Sequence, residues 1–252
     1  MAANTKRTAG FKLNAAGHKR NLVTQFGLVA VVVIFAVGLI GYIVISNKDK
    51  KISTEGHAVR VASSKLITRE NSNEPKAAVA FYEDFLCPAC GNLERSFGPT
   101  VSKLIDSGAI AADYYMVSIL DSPRTDYSTR AGAAAYCVAD ESNEAFRRFH
   151  TALFTAQLQP EETGTEFPDN DRLIELARQA GAVGGVPGCI NSGKYLTMVS
   201  GLAKSSGIRA TPTIRINGED YRPSTPDALV AKIKEIVGDV PALDAIVPAP
   251  AQ

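Results

Sequence analysis

The sequence predicts an α/β domain with an inserted helical subdomain, preceded by one N-terminal transmembrane helix. Three observations carry this prediction. An uncharged run occupies residues 26–45, and β-rich segments alternate with helical segments from residue 75 onward. A helical stretch of roughly 80 residues then separates two of the β-rich segments, which is too long for a loop. We therefore place an insertion at about residues 123–206.

The run Phe26–Ile45 predicts a membrane span. It contains 20 residues, and a helix of that length is about 30 Å long, the thickness of the hydrocarbon layer of a bilayer. A cleaved signal peptide is the alternative, but its apolar region is shorter and ends at a small-residue site. This run ends instead at Ser46-Asn47-Lys48. We expect an uncleaved signal anchor over residues 21–46, in contact with membrane lipid.

The distribution of charge predicts the orientation of the chain. Residues 1–20 carry five Lys and Arg and no acid, whereas the rest holds 22 of the 27 basic residues against all 26 acids. Basic flanks of a membrane span stay on the cytoplasmic side. We expect residues 1–20 to be a cytoplasmic tail of a single-pass plasma-membrane protein, with the catalytic domain outside the cytoplasm. The weakly acidic body is not typical of nucleic-acid binding.

Two polar or irregular segments flank the folded domain, which we place at residues 75–240. Residues 47–74 are polar and predict a stalk, with a possible first strand at Val59–Ile67. Residues 241–252 hold three prolines and predict a flexible tail.

The first elements of the domain are predicted from composition and turn signals. Ala77–Leu86 is rich in β-forming and apolar residues and predicts a buried strand. A helix is expected from Cys87, because Pro88 is tolerated in a first helical turn, where its missing N–H costs nothing. Ala111–Leu120 predicts the second strand.

The remaining elements are the inserted helices and a C-terminal hairpin and helix. Helical segments are expected at residues 129–140, 144–157, 171–179 and 192–206, and a turn at 181–188. Thr213–Asn217 predicts a strand, and Asn217-Gly218 is typical of a hairpin turn. Thr225–Val237 predicts a closing helix with a threonine N-cap.

The pair Cys87-Pro88-Ala89-Cys90 stands at a strand–helix junction and predicts thiol–disulfide chemistry. The helix start stabilises a thiolate at the first cysteine, and the thiolate is the species that attacks a disulfide. A zinc site would need a second such pair, and haem attachment would need a histidine where Gly91 stands. No metal or cofactor is expected beyond the redox-active disulfide Cys87–Cys90; two purely structural cysteines are the alternative.

Cys137 and Cys189 are the other two cysteines, and both fall in the inserted block. Cysteines left over in an oxidising compartment usually pair. We expect a structural disulfide between them, with two free thiols as the alternative.

Three motifs resemble the DsbA-like proteins of the thioredoxin superfamily, particularly the membrane-anchored actinobacterial type. They are Phe81–Cys90 (FYEDFLCPAC), Ala145–Phe154 (AFRRFHTALF) and Gly207–Thr213 (GIRATPT), the last followed by Asn217-Gly218. The resemblance covers roughly residues 60–238. It implies a thioredoxin fold with an inserted helical subdomain and the activity of a protein disulfide oxidoreductase.

The resemblance also implies roles for further residues. The proline that matches Pro212 is cis in this family and packs beside the cysteine pair, so that the backbone of Thr211 can pair with an extended substrate. Many relatives carry a buried acid six residues before the first cysteine, where this chain has Phe81. Glu83 or Asp84 is then the candidate proton relay, with a solvated strand end or a charge at the helix N-terminus as the alternative.

Two residues leave questions open. Strongly oxidising relatives have a histidine before the second cysteine, where this chain has Ala89, so its redox strength is undecided. His150 lies on a helix with aromatic residues, and we expect a partly exposed side chain without a catalytic role.

The predicted function is the donation or exchange of disulfides with unfolded exported proteins. The resemblance implies re-oxidation by a quinone-linked membrane enzyme, a homologue of DsbB or of vitamin K epoxide reductase. A membrane-anchored reductase or isomerase, for example in cytochrome maturation, is the alternative. A non-catalytic chaperone module that binds peptides is a third hypothesis.

Overall fold

A computed structural model of the protein describes residues 58–238, together with residues 240 and 243. The predicted cytoplasmic tail, the anchor Phe26–Ile45 and the first part of the stalk lie outside these residues, as does nearly all of the C-terminal tail. No helix among residues 58–238 is both long enough and apolar enough to cross a bilayer.

A five-stranded mixed sheet forms the centre of the domain. Its strands are β1 (Val59–Val61), β2 (Ala78–Glu83), β3 (Ala111–Met116), β4 (Thr213–Ile216) and β5 (Glu219–Tyr221). Their order is β1-β3-β2-β4-β5, in which β2 and β3 are parallel and the other neighbours antiparallel. The central strand β2 therefore ends in the middle of one edge of the sheet, and the chain that follows it carries the cysteine pair.

The strands are shorter than predicted, and Asp84 accounts for two of the ends. Its Oδ1 accepts a hydrogen bond from Leu86 N (2.9 Å), and its Oδ2 accepts from Ile119 N (2.8 Å) and Leu120 N (2.9 Å). These backbone groups are thus bonded to a side chain instead of to a neighbouring strand. The predicted strands 77–86 and 111–120 consequently stop at Glu83 and Met116.

Seven helices surround the sheet in the described part of the chain. They are α1 (Pro88–Asp106), α2 (Tyr127–Glu141), α3 (Asn143–Leu153), α4 (Asn170–Gln179), α5 (Val186–Asn191), α6 (Leu196–Ser205) and α7 (Pro226–Val237). Helices α2–α6 stand between β3 and β4, so the strand–helix–strand unit is interrupted by a helical block, as the sequence predicts.

Two helix boundaries in the insertion differ from the prediction. The expected turn at residues 181–188 is interrupted, because α5 already begins at Val186 with Pro187 in its first turn. The helix expected from residue 192 begins only at Leu196. Gly193 has a φ of 66°, outside the helical region, which separates α5 from α6.

The C-terminal hairpin and helix follow the predicted signals. Asn217 and Gly218 have φ values of 51° and 91°, the left-handed pair that a two-residue hairpin turn between β4 and β5 requires. The Asn217 side chain also accepts a hydrogen bond from Ala78 N at 2.9 Å and thereby ties the turn to the start of β2. Thr225 caps α7 by accepting from Ala228 N at 3.1 Å.

Aromatic residues from β2, β3 and α3 fill the core beneath the cysteine pair. The rings of Phe81 and Tyr114 stack with centroids 5.3 Å apart, and Tyr114 also contacts Phe146 at 5.5 Å. Phe85 packs on Phe154 at 4.8 Å. The inserted helix α3 is therefore part of the same core as the sheet and comes within reach of the residues that follow β2.

Candidate functional site

The cysteine pair stands at the start of α1, directly after the central strand. Cys87 is the N-cap residue, with extended backbone angles (φ −76°, ψ 115°), and Pro88 occupies the first turn. Pro88 and Ala89 are exposed, whereas Cys87 and Cys90 are buried free thiols. Because only the tip of the loop reaches solvent, an attacking group must approach the pair from the side of Cys87, which keeps 6% of its surface exposed.

The surroundings of Cys87 favour its thiolate. Its pKa is lowered to about 6, chiefly by hydrogen bonding from the Cys90 thiol. The Thr211 side chain and the backbone N–H groups of Cys90 and Ala89 also lower this pKa, and burial opposes them. Orphan N–H groups at a helix start stabilise a negative charge in this way. Cys87 is therefore the thiol that can act as nucleophile near neutral pH.

The surroundings of Cys90 have the opposite effect. Its side chain is fully buried, and burial strongly raises its pKa. Hydrogen bonding to Cys87 and the charge of Glu83 raise it further. A thiolate on Cys90 therefore takes up a proton as soon as one can reach it.

Glu83 is a buried acid at the end of β2, which corrects the alternative of a solvated strand end. It is 0% exposed, and burial raises its pKa. Its Oε2 lies 2.9 Å from Nε2 of His150, and its carboxyl also shares a hydrogen bond with Glu94, which opposes the rise in pKa. The charge of Cys87 raises the pKa of Glu83, and the charge of Glu83 raises the pKa of Cys90, so Glu83 is close enough to the pair to be coupled to its protonation.

Asp84 is also fully buried, but its carboxylate is used differently. Both oxygens accept backbone N–H groups, as described for the strand ends. Burial raises its pKa and these hydrogen bonds oppose the rise. With its oxygens bound to the backbone, Asp84 holds the loop before Cys87 in place, and Glu83 is the better placed of the two candidate acids.

His150 and Glu94 join Glu83 in one buried cluster, and the expectation that His150 is partly exposed was wrong. His150 is 2% exposed and Glu94 is 9% exposed. Nδ1 of His150 lies 3.7 Å from Oε2 of Glu94. The sequence does hold a signal for both residues: His150 is spaced four residues from Phe146 and from Phe154, and Glu94 four residues from Cys90, which places each on a buried helical face.

The cluster is also the candidate metal site among the described residues. One ligand atom from each of Glu83, Glu94 and His150 lies within 4.8 Å of the others. The imidazole, however, directs its two nitrogens at two different carboxylates, at 2.9 Å and 3.7 Å. The two carboxyls also share a hydrogen bond, which lowers the pKa of Glu83 and raises that of Glu94. The three groups therefore form one connected cluster, with the imidazole beside both carboxyls.

Thr211 and Pro212 border the pair on one side. The Thr211–Pro212 bond is cis, and the Cys87 thiol donates a hydrogen bond to Thr211 O at 3.5 Å. Beyond Pro212 a groove of about 290 Å³ runs between Leu93 of α1 and the β4–β5 hairpin, where Arg222 lines it. The half-buried backbone of Thr211 thus lies between the nucleophile and an open groove.

The segment after α3 borders the pair on the opposite side. Gln159 donates from Nε2 to Cys87 O at 2.8 Å and accepts at Oε1 from Arg95 Nη1 at 3.1 Å. A Cβ on Gly91 would overlap Gln159 Oε1, so a larger residue at position 91 would displace the end of the Gln159 side chain. A second groove of about 470 Å³ lies here, lined by Pro88 and by residues of the 156–163 segment. Sequence reasoning did not single out Gln159, since its partner is a backbone atom.

Cys137 and Cys189 form a disulfide in the structure, with Cα atoms 5.8 Å apart. The bridge joins α2 to α5 within the insertion. It lies within the insertion, outside the β2–α1 junction that carries Cys87 and Cys90.

Comparisons with known proteins agree with this geometry. The thioredoxin family model matches residues 72–235, more than half of the chain. Reduced DsbA from Mycobacterium tuberculosis is 67% identical, with 76% of this chain and 98% of that chain covered and a TM-score of 0.75. The reduced disulfide bond oxidoreductase DsbG from the same species is 66% identical, with coverages of 79% and 96% and a TM-score of 0.75.

A curated relative, the serine/threonine-protein kinase PknE of Mycobacterium tuberculosis, is 30% identical over 146 residues. The match takes in 57% of this chain but only 25% of the kinase. The chain thus spans about a quarter of that relative's length, and the kinase's name transfers no activity to it. The solved structures confirm the thioredoxin fold with inserted helices, and the chain belongs to the thioredoxin family as a DsbA-like thiol–disulfide oxidoreductase.

Proposed function

We propose that the protein donates the Cys87–Cys90 disulfide to the thiols of unfolded exported proteins outside the plasma membrane. The observation that carries the proposal is the contrast between the two cysteines: the pKa of Cys87 is lowered and that of Cys90 is raised. A stabilised thiolate favours the reduced enzyme, and an enzyme whose reduced form is stabilised is an oxidant.

The donation proceeds in two exchanges. A substrate thiolate attacks the Cys87 sulfur, the Cys87–Cys90 bond breaks, and Cys90 leaves with the electron pair and takes up a proton. A second substrate thiolate then attacks the substrate sulfur of the mixed disulfide and releases the Cys87 thiolate. The substrate has lost two electrons, and the enzyme has gained them. Glu83, the buried acid near both thiols, exchanges the proton with Cys90.

The substrate segment is expected to lie beside Thr211 in extended form. The half-buried backbone of Thr211 borders Cys87, so its polar groups are available to a strand-like partner. The groove beyond Pro212 would take side chains next to the substrate cysteine. Support for the location is the basic tail and the uncharged run of the sequence. We further propose a quinone-linked membrane enzyme, a homologue of DsbB or of vitamin K epoxide reductase, as the re-oxidising partner.

The opposite direction of electron flow, from this protein to the disulfides of its substrates, is favoured by one observation. Ala89, exposed between the cysteines, offers no side-chain donor to hold a thiolate. A reductase or isomerase therefore remains the second candidate function.

The reduction potential of the full chain, measured at equilibrium with glutathione, distinguishes disulfide donation from the reductase function. We expect a reduction potential above roughly −200 mV, together with catalytic oxidation of a reduced unfolded protein that Cys87→Ser abolishes. A value near roughly −270 mV, the thioredoxin range, would reject disulfide donation in favour of the reductase.

A further inference from the structure

The burial of Cys90 poses a problem of proton supply. Its sulfur is 0% exposed, and so is the Glu83 carboxyl that we propose as its proton donor. After Glu83 has given its proton to the Cys90 thiolate, bulk water cannot restore that proton directly. Some further group must connect Glu83 with solvent.

His150 and Glu94 occupy the required place. His150 Nε2 contacts Glu83 Oε2 at 2.9 Å, and on the other side of the ring Nδ1 faces Glu94 Oε2 at 3.7 Å. Glu94 is the member of the cluster that retains the largest exposed fraction, 9% against 2% for His150 and none for Glu83. The three groups are thus ordered from the buried thiol toward the surface.

We propose that His150 and Glu94 complete the proton path of Cys90, with His150 as the relay between the two carboxyls and Glu94 as the group that exchanges with solvent. This inference rests on the proposed role of Glu83.

The transfer balances at each step. The Glu83 carboxyl gives its proton to the Cys90 thiolate and becomes a carboxylate. The N–H of His150 Nε2 gives its proton to Glu83, while Nδ1 takes the proton of the Glu94 carboxyl. Glu94 regains a proton from water. The imidazole ends in its other neutral tautomer, and the sequence runs backward when Cys90 loses its proton during re-oxidation.

The charge states needed are those that burial favours. Burial raises the pKa of Glu83 and of Glu94, so that each carboxyl holds a proton near neutral pH, and it lowers the pKa of His150, so that the ring stays neutral. A neutral imidazole has one donor and one acceptor nitrogen, as a relay needs.

Few other titratable groups act on the cluster in the described part of the chain. At the start of α1 these are the N-cap Cys87, which raises the pKa of Glu83, and Cys90, whose pKa Glu83 raises. On β3, Tyr114 lies with its ring 4.7 Å from that of His150, and Arg147 of α3 acts on Tyr114. The aromatic rings of Phe85, Phe146 and Phe154 complete the surroundings of the imidazole.

The test is the rate at which dithiothreitol opens the Cys87–Cys90 bond in the oxidised full chain, followed by stopped flow as a function of pH. Glu94→Gln keeps the size of the side chain at the edge of the core and so preserves the fold. His150→Phe keeps an aromatic ring in an aromatic pocket. We expect both variants to slow the opening on the order of 10-fold, less than a general acid in direct contact contributes. The matched control, Glu144→Gln, removes a carboxylate that is 62% exposed on α3, and we expect no change.

Two further readouts separate a relay from a structural role. Wild type should show a solvent deuterium isotope effect on the opening rate that Glu94→Gln alters, and the ¹⁵N shifts of His150 should report opposite tautomers in the oxidised and reduced protein. Wild-type rates in both variants, combined with a slow Glu83→Gln, would overturn the relay and leave the role of Glu83 intact. A slow Glu94→Gln with a wild-type rate in His150→Phe would show that the proton passes directly between the two hydrogen-bonded carboxyls, and it would overturn the role of His150. Wild-type rates in all three would remove the role of Glu83 as well. Stoichiometric Zn²⁺ binding that both variants lose would replace the relay by a metal site.

Discussion

Cys87 and Cys90 are chemically identical residues that one helical turn places in different surroundings. Cys87 receives hydrogen bonds at the helix start and retains some exposure, whereas Cys90 faces the buried Glu83. We expect limiting iodoacetamide to label Cys87 of the reduced protein, with a rate that rises through about pH 6. Peptide mass mapping of the alkylated protein checks this. Cys90→Ser serves as a control that must still be labelled, and preferential labelling of Cys90 in the wild type would contradict the assignment of the nucleophile.

Gln159 contributes to the same site through the Cys87 carbonyl. Gln159→Met keeps the length of the side chain but removes the donor, which leaves more negative charge on the oxygen beside the Cys87 sulfur. We expect the pKa of Cys87 to rise. Methionine also loses the hydrogen bonds to Phe85 O and from Arg95, so we expect the protein to lose roughly 2–3 kcal/mol of stability, at about 1 kcal/mol for each hydrogen bond. Ultraviolet thiolate absorbance against pH measures the first effect.

The matched control for Gln159 is Gln179→Met. Gln179 is exposed on α4 and donates only to Glu175 within the described residues. An equal rise of the Cys87 pKa in both variants would show that the effect does not pass through the Cys87 carbonyl.

For single residues, the sequence predicts a functional role when the residues that interact are close together along the chain. Cys87 and Cys90 are recognisable because their spacing and the helix start are local features. His150, Glu94 and Glu83 become a cluster only when α3 packs on β2, through contacts between residues 67 positions apart. Gln159 is equally invisible in the sequence, since it binds a backbone carbonyl 72 positions away.

At the scale of the elements, we expect the stability of the inserted helices to depend on the disulfide between α2 and α5. The double variant Cys137→Ala/Cys189→Ala frees a closed span of 52 residues, which the loop-entropy relation values at about 4 kcal/mol. We expect a lower denaturant midpoint, measured by urea titration. Alkylation of Cys87 at neutral pH should be unchanged in the folded variant, because the bridge is separate from the pair. An unchanged midpoint would show that the bridge adds no stability.

Element boundaries were predicted well where a cap or a turn residue is present and less well elsewhere. Thr225 and Asn217-Gly218 mark α7 and the hairpin correctly, because each acts on its own backbone. The ends of β2 and β3 are set instead by Asp84, whose carboxylate captures backbone N–H groups 35 and 36 positions away. The apolar residues after Glu83 led to a predicted strand that ends at Leu86, whereas β2 ends at Glu83.

For the whole molecule, the lowered pKa of Cys87 predicts how stability depends on pH. The folded thiol titrates near about pH 6 and a free thiol near about 8.5, so the reduced folded protein binds fewer protons than the unfolded chain between these values. Its stability should rise with pH through this window, and the contribution is lost as pH falls through about 6.

Buried Glu83 and Glu94 contribute with the opposite sign, since their raised pKa values add stability at low pH that is lost as pH rises. The Cys87 contribution is therefore measured as the difference between reduced wild type and reduced Cys87→Ser, in urea titrations across the window. We expect that difference to grow in favour of the wild type as pH rises. A difference that stays constant would mean that folding does not shift the Cys87 pKa.

Every new copy of the chain has four cysteines, and two of them end in the permanent bridge between α2 and α5. Under the proposed function, the Cys137–Cys189 disulfide of each new copy must form before that copy is stable enough to oxidise other proteins. Each copy is therefore first a substrate of disulfide formation and only then a catalyst of it. Oxidised copies of the protein can form this disulfide in newly made copies. If no oxidised copy is present at the start, the amount of oxidised, folded protein should rise after a lag and then accelerate, as in an autocatalytic reaction.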